Sequence, residues 1–96
     1  MAKAYWITTY RSISNPDKLA AYAKLAAPAI LAGGGKFLVR GPAVKAYEQG
    51  LLQRTVIVEF DSLATANAVH DGPAYQEALR ILGDGVKRDF RVVEGV

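Results

Sequence analysis

Arg54-Thr55-Val56-Ile57-Val58-Glu59-Phe60-Asp61-Ser62 reads as a strand that is apolar on both faces, carries one carboxylate and stops at a helix cap. Val56, Val58 and Phe60 project to one side and Ile57 to the other, so neither face can be left in water without cost. A chain of 96 residues has few helices with which to cover two faces. The second face therefore calls for another copy of the protein.

The neighbouring segments place this strand in an ordered series. Tyr5-Trp6-Ile7-Thr8-Thr9-Tyr10 is aromatic and β-branched, which predicts a first strand over residues 3–11. Asn15-Pro16-Asp17 supplies an N-cap side chain, a proline at the first helical position and an acid in the first turn. Leu19, Tyr22, Ala23, Ala26 and Ile30 then recur at helical spacing until Gly33-Gly34-Gly35 ends the pattern. Pro28 falls inside this helix and is expected to kink or split it.

A short second strand is expected at Phe37–Arg40, disrupted by Gly41-Pro42, with 43–48 as an irregular hairpin arm. After the 54–60 strand, Ser62 caps a helix carrying Leu63, Ala66 and Val69, and Asp71-Gly72-Pro73 interrupts it. Tyr75, Ala78, Leu79 and Leu82 mark a further helical segment closed by Gly83-Asp84-Gly85, and Arg88–Glu94 is the last strand. The order βαββαβ predicts an α+β, ferredoxin-like sandwich: a single domain over 1–96, with one four-stranded antiparallel sheet and the helices on one face. Strands one and three are the least charged and are read as central and parallel to one another. Lys36, Arg40, Arg88, Asp89, Arg91 and Glu94 put charge on the outer two, where it discourages unwanted pairing.

Composition narrows the function classes. Zero cysteines exclude disulfides, thiolate catalysis and Cys-ligated clusters, and one histidine excludes a multi-His metal site within one chain. Neither a metal nor another cofactor is expected. A net charge of +3, dispersed along the chain, does not mark a nucleic-acid surface. RNA-recognition domains share this strand order, but their third strand presents a basic residue, glycine and spaced aromatics, whereas Arg54–Phe60 offers aliphatic residues and an acid. The longest apolar tract, Leu19 to Ala32, contains Lys24 and Pro28 and is too short to span a bilayer. With no signal-peptide pattern at Met1–Trp6, the expectation is a cytoplasmic protein without membrane or nucleic-acid partners.

Two helices on one face leave the other face of the sheet uncovered. Trp6 or Tyr5, Phe37 or Leu38, Val56 or Ile57, and Phe90 or Val93 must occupy it, a larger apolar patch than a monomer usually exposes. Sheet-to-sheet packing across a two-fold axis, giving a homodimer, is the expected remedy.

The chain resembles the domain-of-unknown-function family 1330, a branch of the dimeric α/β barrel superfamily. The resemblance rests on Tyr5-Trp6, on Gly34 through Gly41, on Arg54, on Val56 through Phe60 with Ser62, and on Ala66. It continues with Pro73-Ala74-Tyr75-Gln76, Arg80 and the ending Val93-Glu94-Gly95-Val96. Pro42 and Gly72 stand where a second glycine and a serine are expected, and Val69-His70 replaces a more aromatic pair. The resemblance implies a ferredoxin-like protomer in a dimeric α/β barrel and supplies no reaction. Related barrel families include cofactor-independent oxygenases, isomerases and haem-degrading proteins, an analogy at the level of fold.

Five side chains are candidates for chemistry. Glu59, between Val58 and Phe60, needs a partner such as Arg40, Arg54 or Arg80, and is either a general acid or base or half of a structural ion pair. Imidazole can move a proton near neutral pH or bind iron, so His70 is a catalytic proton shuttle, a haem ligand or only a helix-end cap. Arg40 suits a bidentate pair with a substrate carboxylate, or a bridge between protomers. Tyr75 and Trp6 complete a substrate-binding set, although a core tyrosine bonded locally is the plainer reading of Tyr75. The expected function is binding or transformation of a small organic molecule, carboxylated or aromatic, without a metal. A non-catalytic sensing dimer and a purely structural interaction module are the alternatives.

Overall fold

The computed structural model describes residues 2–96. Alternating apolar residues extend strand β1 over Ala4–Ile13, and Asn15 then caps helix α1, Pro16–Ala32, by accepting a hydrogen bond from the Lys18 N–H at 3.1 Å. Strand β2 is Lys36–Pro42, β3 is Arg54–Phe60, helix α2 is Leu63–Asp71, helix α3 is Pro73–Leu82, and β4 is Val86–Glu94. Ser62 caps α2 as its position suggests, with its hydroxyl accepting from the Thr65 N–H at 3.1 Å.

The expected order is present, with local differences. Helix α1 runs unbroken through Pro28. Pro28 and Lys24 both lie on the exposed side of the helix, so water can satisfy the Lys24 carbonyl that the proline ring leaves without a donor. Strand β2 continues through Gly41-Pro42 because, as an edge strand, it loses little when proline removes one donor. The expected hairpin arm at 43–48 is instead part of a loop, turning at Tyr47–Gly50 where Glu48 takes a positive φ of 53°.

The sheet order is β2-β3-β1-β4, which confirms β1 and β3 as central. The two are antiparallel, not parallel: Ala4 lies opposite Phe60 and Thr9 opposite Thr55. The connectivity explains the correction. Helix α1 returns the chain so that β2 runs with β1, and the hairpin then reverses β3 between them. A second correction concerns closure. Strands β2 and β4 remain free edges, so the sheet is open, and the α/β barrel expected from the family resemblance gives way to an open ferredoxin-like sandwich.

All helices pack on one side. Ala4, Trp6, Thr8 and Tyr10 of β1 face them with Val58 and Phe60 of β3, and are buried with Tyr22, Ala26 and Ile30 of α1 and Tyr75, Ala78 and Leu82 of α3. The alternate residues Tyr5, Ile7, Ile57, Glu59 and Val93 form the outer face. Gly35 is required where α1 turns into β2, because a Cβ there would lie 2.5 Å from Ile30 and 3.0 Å from Phe60.

Candidate functional site

Strand register sets the helix-facing residues in rows across the sheet. Phe37, Val58 and Trp6 form one row, Arg40, Val56, Thr8 and Phe90 the next, and Tyr10 pairs with Arg88 in a third. Arg54 stands one residue beyond the Thr9–Thr55 pair, on the other side of Tyr10. The covered face thus changes from aromatic at Trp6 to cationic at Tyr10.

Helix α1 crosses these rows with Leu19, Tyr22, Ala23, Ala26, Ala27 and Ile30. Three alanines in that set hold less volume than the aromatic rows need for contact, and a cleft remains beneath the helix. The cavity itself is narrow, about 40 Å³, and opens to solvent at its mouth.

The apolar end is closely packed. The Trp6 ring centroid lies 4.8 Å from Phe60, 4.9 Å from Tyr75 and 5.3 Å from Phe90, and the indole N–H donates to the Ala66 carbonyl at 3.2 Å. Packing of this kind fixes the aromatic wall of the cleft.

At the other end, Arg88 donates to three phenol oxygens: Tyr10 at 3.0 Å, Tyr22 at 3.3 Å and Tyr75 at 3.4 Å. The Tyr22 and Tyr75 hydroxyls share a hydrogen bond of 2.5 Å. Burial, then the neighbouring Tyr22, pushes the Tyr75 phenol above its ordinary range, against the pull of Arg88. Burial opposes the Arg88 charge, but the surrounding Tyr22 and Tyr75 oxygens hold its pKa above the usual arginine value. Tyr75 stays a neutral phenol and Arg88 a cation.

Arg54 lies 6.0 Å from the Tyr10 ring centroid, and its buried Nε has no hydrogen-bond partner. The Arg40 guanidinium caps the Phe37 ring at 4.5 Å, at the exposed rim. Among the described residues, no carboxylate lies within 4.0 Å of Arg40, Arg54 or Arg88.

Of the five residues singled out from sequence, Trp6, Arg40 and Tyr75 line this cleft together. Glu59 lies on the outer face, where its carboxylate accepts from Lys3 Nζ at 3.2 Å and the Tyr5 hydroxyl at 3.4 Å rather than from an arginine. His70 sits at the end of α2, its Nδ1 3.0 Å from the Asp71 carboxylate and its ring against Trp6, Tyr75 and Phe90 on the helix side. Glu59 and His70 are therefore separated by the sheet and do not share a site. Arg88, Arg54, Tyr10 and Tyr22 are cleft residues that sequence reasoning missed. Arg88-Phe90-Val92 alternates in step with Tyr10-Thr8-Trp6 across the β1–β4 ladder, which is the signal that could have found Arg88.

Among the described residues, no group of three or more histidine, aspartate or glutamate side chains is placed to hold a metal ion, and no helix is long and apolar enough to cross a membrane.

No curated protein matches the chain. Solved structures do. A protein of unknown function from Rhodopseudomonas palustris superposes with a TM-score of 0.78 at 17% identity, covering 99% of this chain and 83% of that one. A dimeric ferredoxin-like protein of unknown function from Thermobifida fusca gives 0.62 at 17% identity, with 97% and 91% covered. A candidate antibiotic biosynthesis monooxygenase from Caulobacter crescentus gives 0.64 at 14% identity, with 99% and 91% covered. At these identities the likeness establishes the ferredoxin-like fold alone. The family model described as "Domain of unknown function (DUF1330)" matches residues 3–96, and the chain belongs to that family.

Proposed function

We propose that this protein binds a small organic molecule in the cleft beneath α1 and does so as a homodimer. The observation that carries the reading is the convergence of Trp6, Phe37 and Phe90 with Arg40, Arg54 and Arg88 on one partly enclosed space. An apolar cleft with a few converging polar groups is the usual form of a small-molecule site. Trp6 and Tyr75 form its wall, and Arg40 at the rim meets a ligand as it enters. Binding is favoured over turnover because Glu59 and His70, the two acid–base candidates, lie on opposite faces of the sheet.

The dimer covers the outer face by sheet-to-sheet packing, as the apolar residues Tyr5, Ile7, Val39, Ile57 and Val93 on that face favour. The similarity to a Thermobifida protein described as dimeric supports it.

Thermal-shift screening of the purified protein against small organic compounds tests the binding reading. A ligand held only by the folded state raises the melting temperature in proportion to ln(1 + [L]/Kd), and a broad library without one stabilising compound at millimolar concentration would remove the reading. Light scattering after size exclusion tests assembly. Twice the chain mass is expected, falling to the monomer in Ile57→Glu; a monomeric wild type at micromolar concentration would end the dimer proposal.

A further inference from the structure

The polar end of the cleft contains more donors than acceptors. A guanidinium has five N–H donors and no acceptor. Arg88 directs three of them to Tyr10, Tyr22 and Tyr75, which leaves two without a protein acceptor among the described residues. The Tyr22–Tyr75 hydrogen bond uses one of that pair's two O–H groups, and Tyr10 accepts from Arg88 but donates to no protein group. The Nε–H of Arg54, buried and unpartnered, adds another donor beside the Tyr10 ring. Tyr10, Tyr22 and Tyr75 are 3%, 7% and 1% exposed, whereas Arg88 is half-buried, and of the unpartnered donors only the Arg54 Nε–H is closed off from water. Two cations facing one cleft, with no carboxylate within 4.0 Å of either among the described residues, favour an acceptor-rich anion there.

We infer that Arg54, Tyr10 and Arg88 form a carboxylate seat, and that the ligand is a small organic acid whose apolar body extends toward Phe37 and Trp6. This inference rests on the cleft-binding reading and adds the ligand's chemical class. The planar guanidinium fork matches a carboxylate in a bidentate pair. The phenols contribute hydrogen bonds to the same group, and the aromatic rows leave the far end suited to hydrocarbon. Neither seat cation depends on a neighbouring acid that would compete for it.

Isothermal titration of the 96-residue chain with hexanoate, benzoate and 3-phenylpropanoate, with their primary amides and alcohols, and with inorganic phosphate tests the seat. At least one acid is expected to bind tenfold or more tightly than its amide and alcohol, as follows from losing charge-assisted hydrogen bonds. Its affinity should fall below roughly pH 4.5, where the ligand carboxylate takes a proton. Arg54→Met should cost that acid about tenfold while the unliganded melting temperature stays near wild type. Tyr10→Phe, which keeps the ring, should weaken the acid and spare the amide. Equal binding of acid and amide would overturn the seat and leave the cleft reading standing. Absence of binding by every probe would overturn both. Phosphate matching the acids would overturn the carboxylate assignment, and an unchanged acid affinity in both variants would remove Arg54 and Tyr10 from it.

Discussion

The two faces of the sheet are built from the same strands yet treat charge in opposite ways. On the outer face each acid has a base beside it: Glu59 meets Lys3 at 3.2 Å, and Asp89 meets Arg91 at 2.8 Å and Arg11 at 3.6 Å. On the helix face Arg88 and Arg54 have only phenols and aromatic rings for company. A solvated ion pair contributes little and costs little to lose, whereas a cation drawn under a helix pays for desolvation and is retained where something offsets it. The difference separates a face whose charges are already paired from one whose cations are left to the proposed ligand carboxylate.

The inner face is broken most severely at its wall. Trp6→Ala removes contacts to Phe60, Tyr75 and Phe90 together with the hydrogen bond to Ala66, and should lower the unfolding free energy by about 3–5 kcal/mol in urea titrations. A loss below about 1 kcal/mol would mean that the cleft wall is not part of the core. Tyr75→Phe is a finer cut. It keeps the ring against Trp6 but deletes the hydroxyl joining Tyr22 to Arg88, at an expected cost of about 1–3 kcal/mol for the donors left unpaired.

How far these faces could be read from sequence follows from what fixes each feature. Asn15-Pro16, Ser62 and Gly72-Pro73 act locally, through caps and backbone restriction, so the helices start where the residues say. The low charge of Tyr5–Tyr10 and Thr55–Phe60 likewise marked the central strands. The face of Glu59 was not legible, because Val56, Val58 and Phe60 on one side and Ile57 on the other are both apolar, and only helix packing chooses between them. Arg88 was taken for a charge guarding an edge. Its true position depends on its pairing with Tyr10, a contact between residues 78 positions apart. Trp6, Arg40 and Tyr75 were singled out by residue type, but that they line one cleft follows from the strand register. The barrel failed for a different reason: closure concerns both sheet edges, and neither edge strand carries a local signal for it.

The phenol cluster also separates the two faces by pH. Tyr75 has a raised pKa in the folded chain, so it keeps its proton when the unfolded chain has begun to lose it. The stabilisation is fully present below the unfolded phenol value of about 10 and declines as pH rises above it, because the unfolded state then binds fewer protons. One such group contributes a slope of about 1.4 kcal/mol per pH unit above that point. Urea midpoints measured between pH 9 and 11.5, roughly spanning that threshold, should show the decline in wild type and a shallower one in Tyr75→Phe. Equal slopes would shift the cause to another titrating group.

The smallest effect is expected from the residue that first drew attention. Glu59→Gln removes a carboxylate whose partners are an exposed lysine and the Tyr5 hydroxyl, on the face opposite the cleft. Glutamine can still accept from both, and the lost Coulomb attraction is screened by salt. Acid binding should be unchanged, and the small difference in melting temperature between wild type and variant should shrink further between low salt and molar salt. A tenfold loss of ligand affinity in Glu59→Gln would couple the two faces through β3 and return the carboxylate to the functional site. A change confined to the monomer–dimer equilibrium would assign Glu59 to the outer surface alone, where its contacts with Lys3 and Tyr5 already hold it.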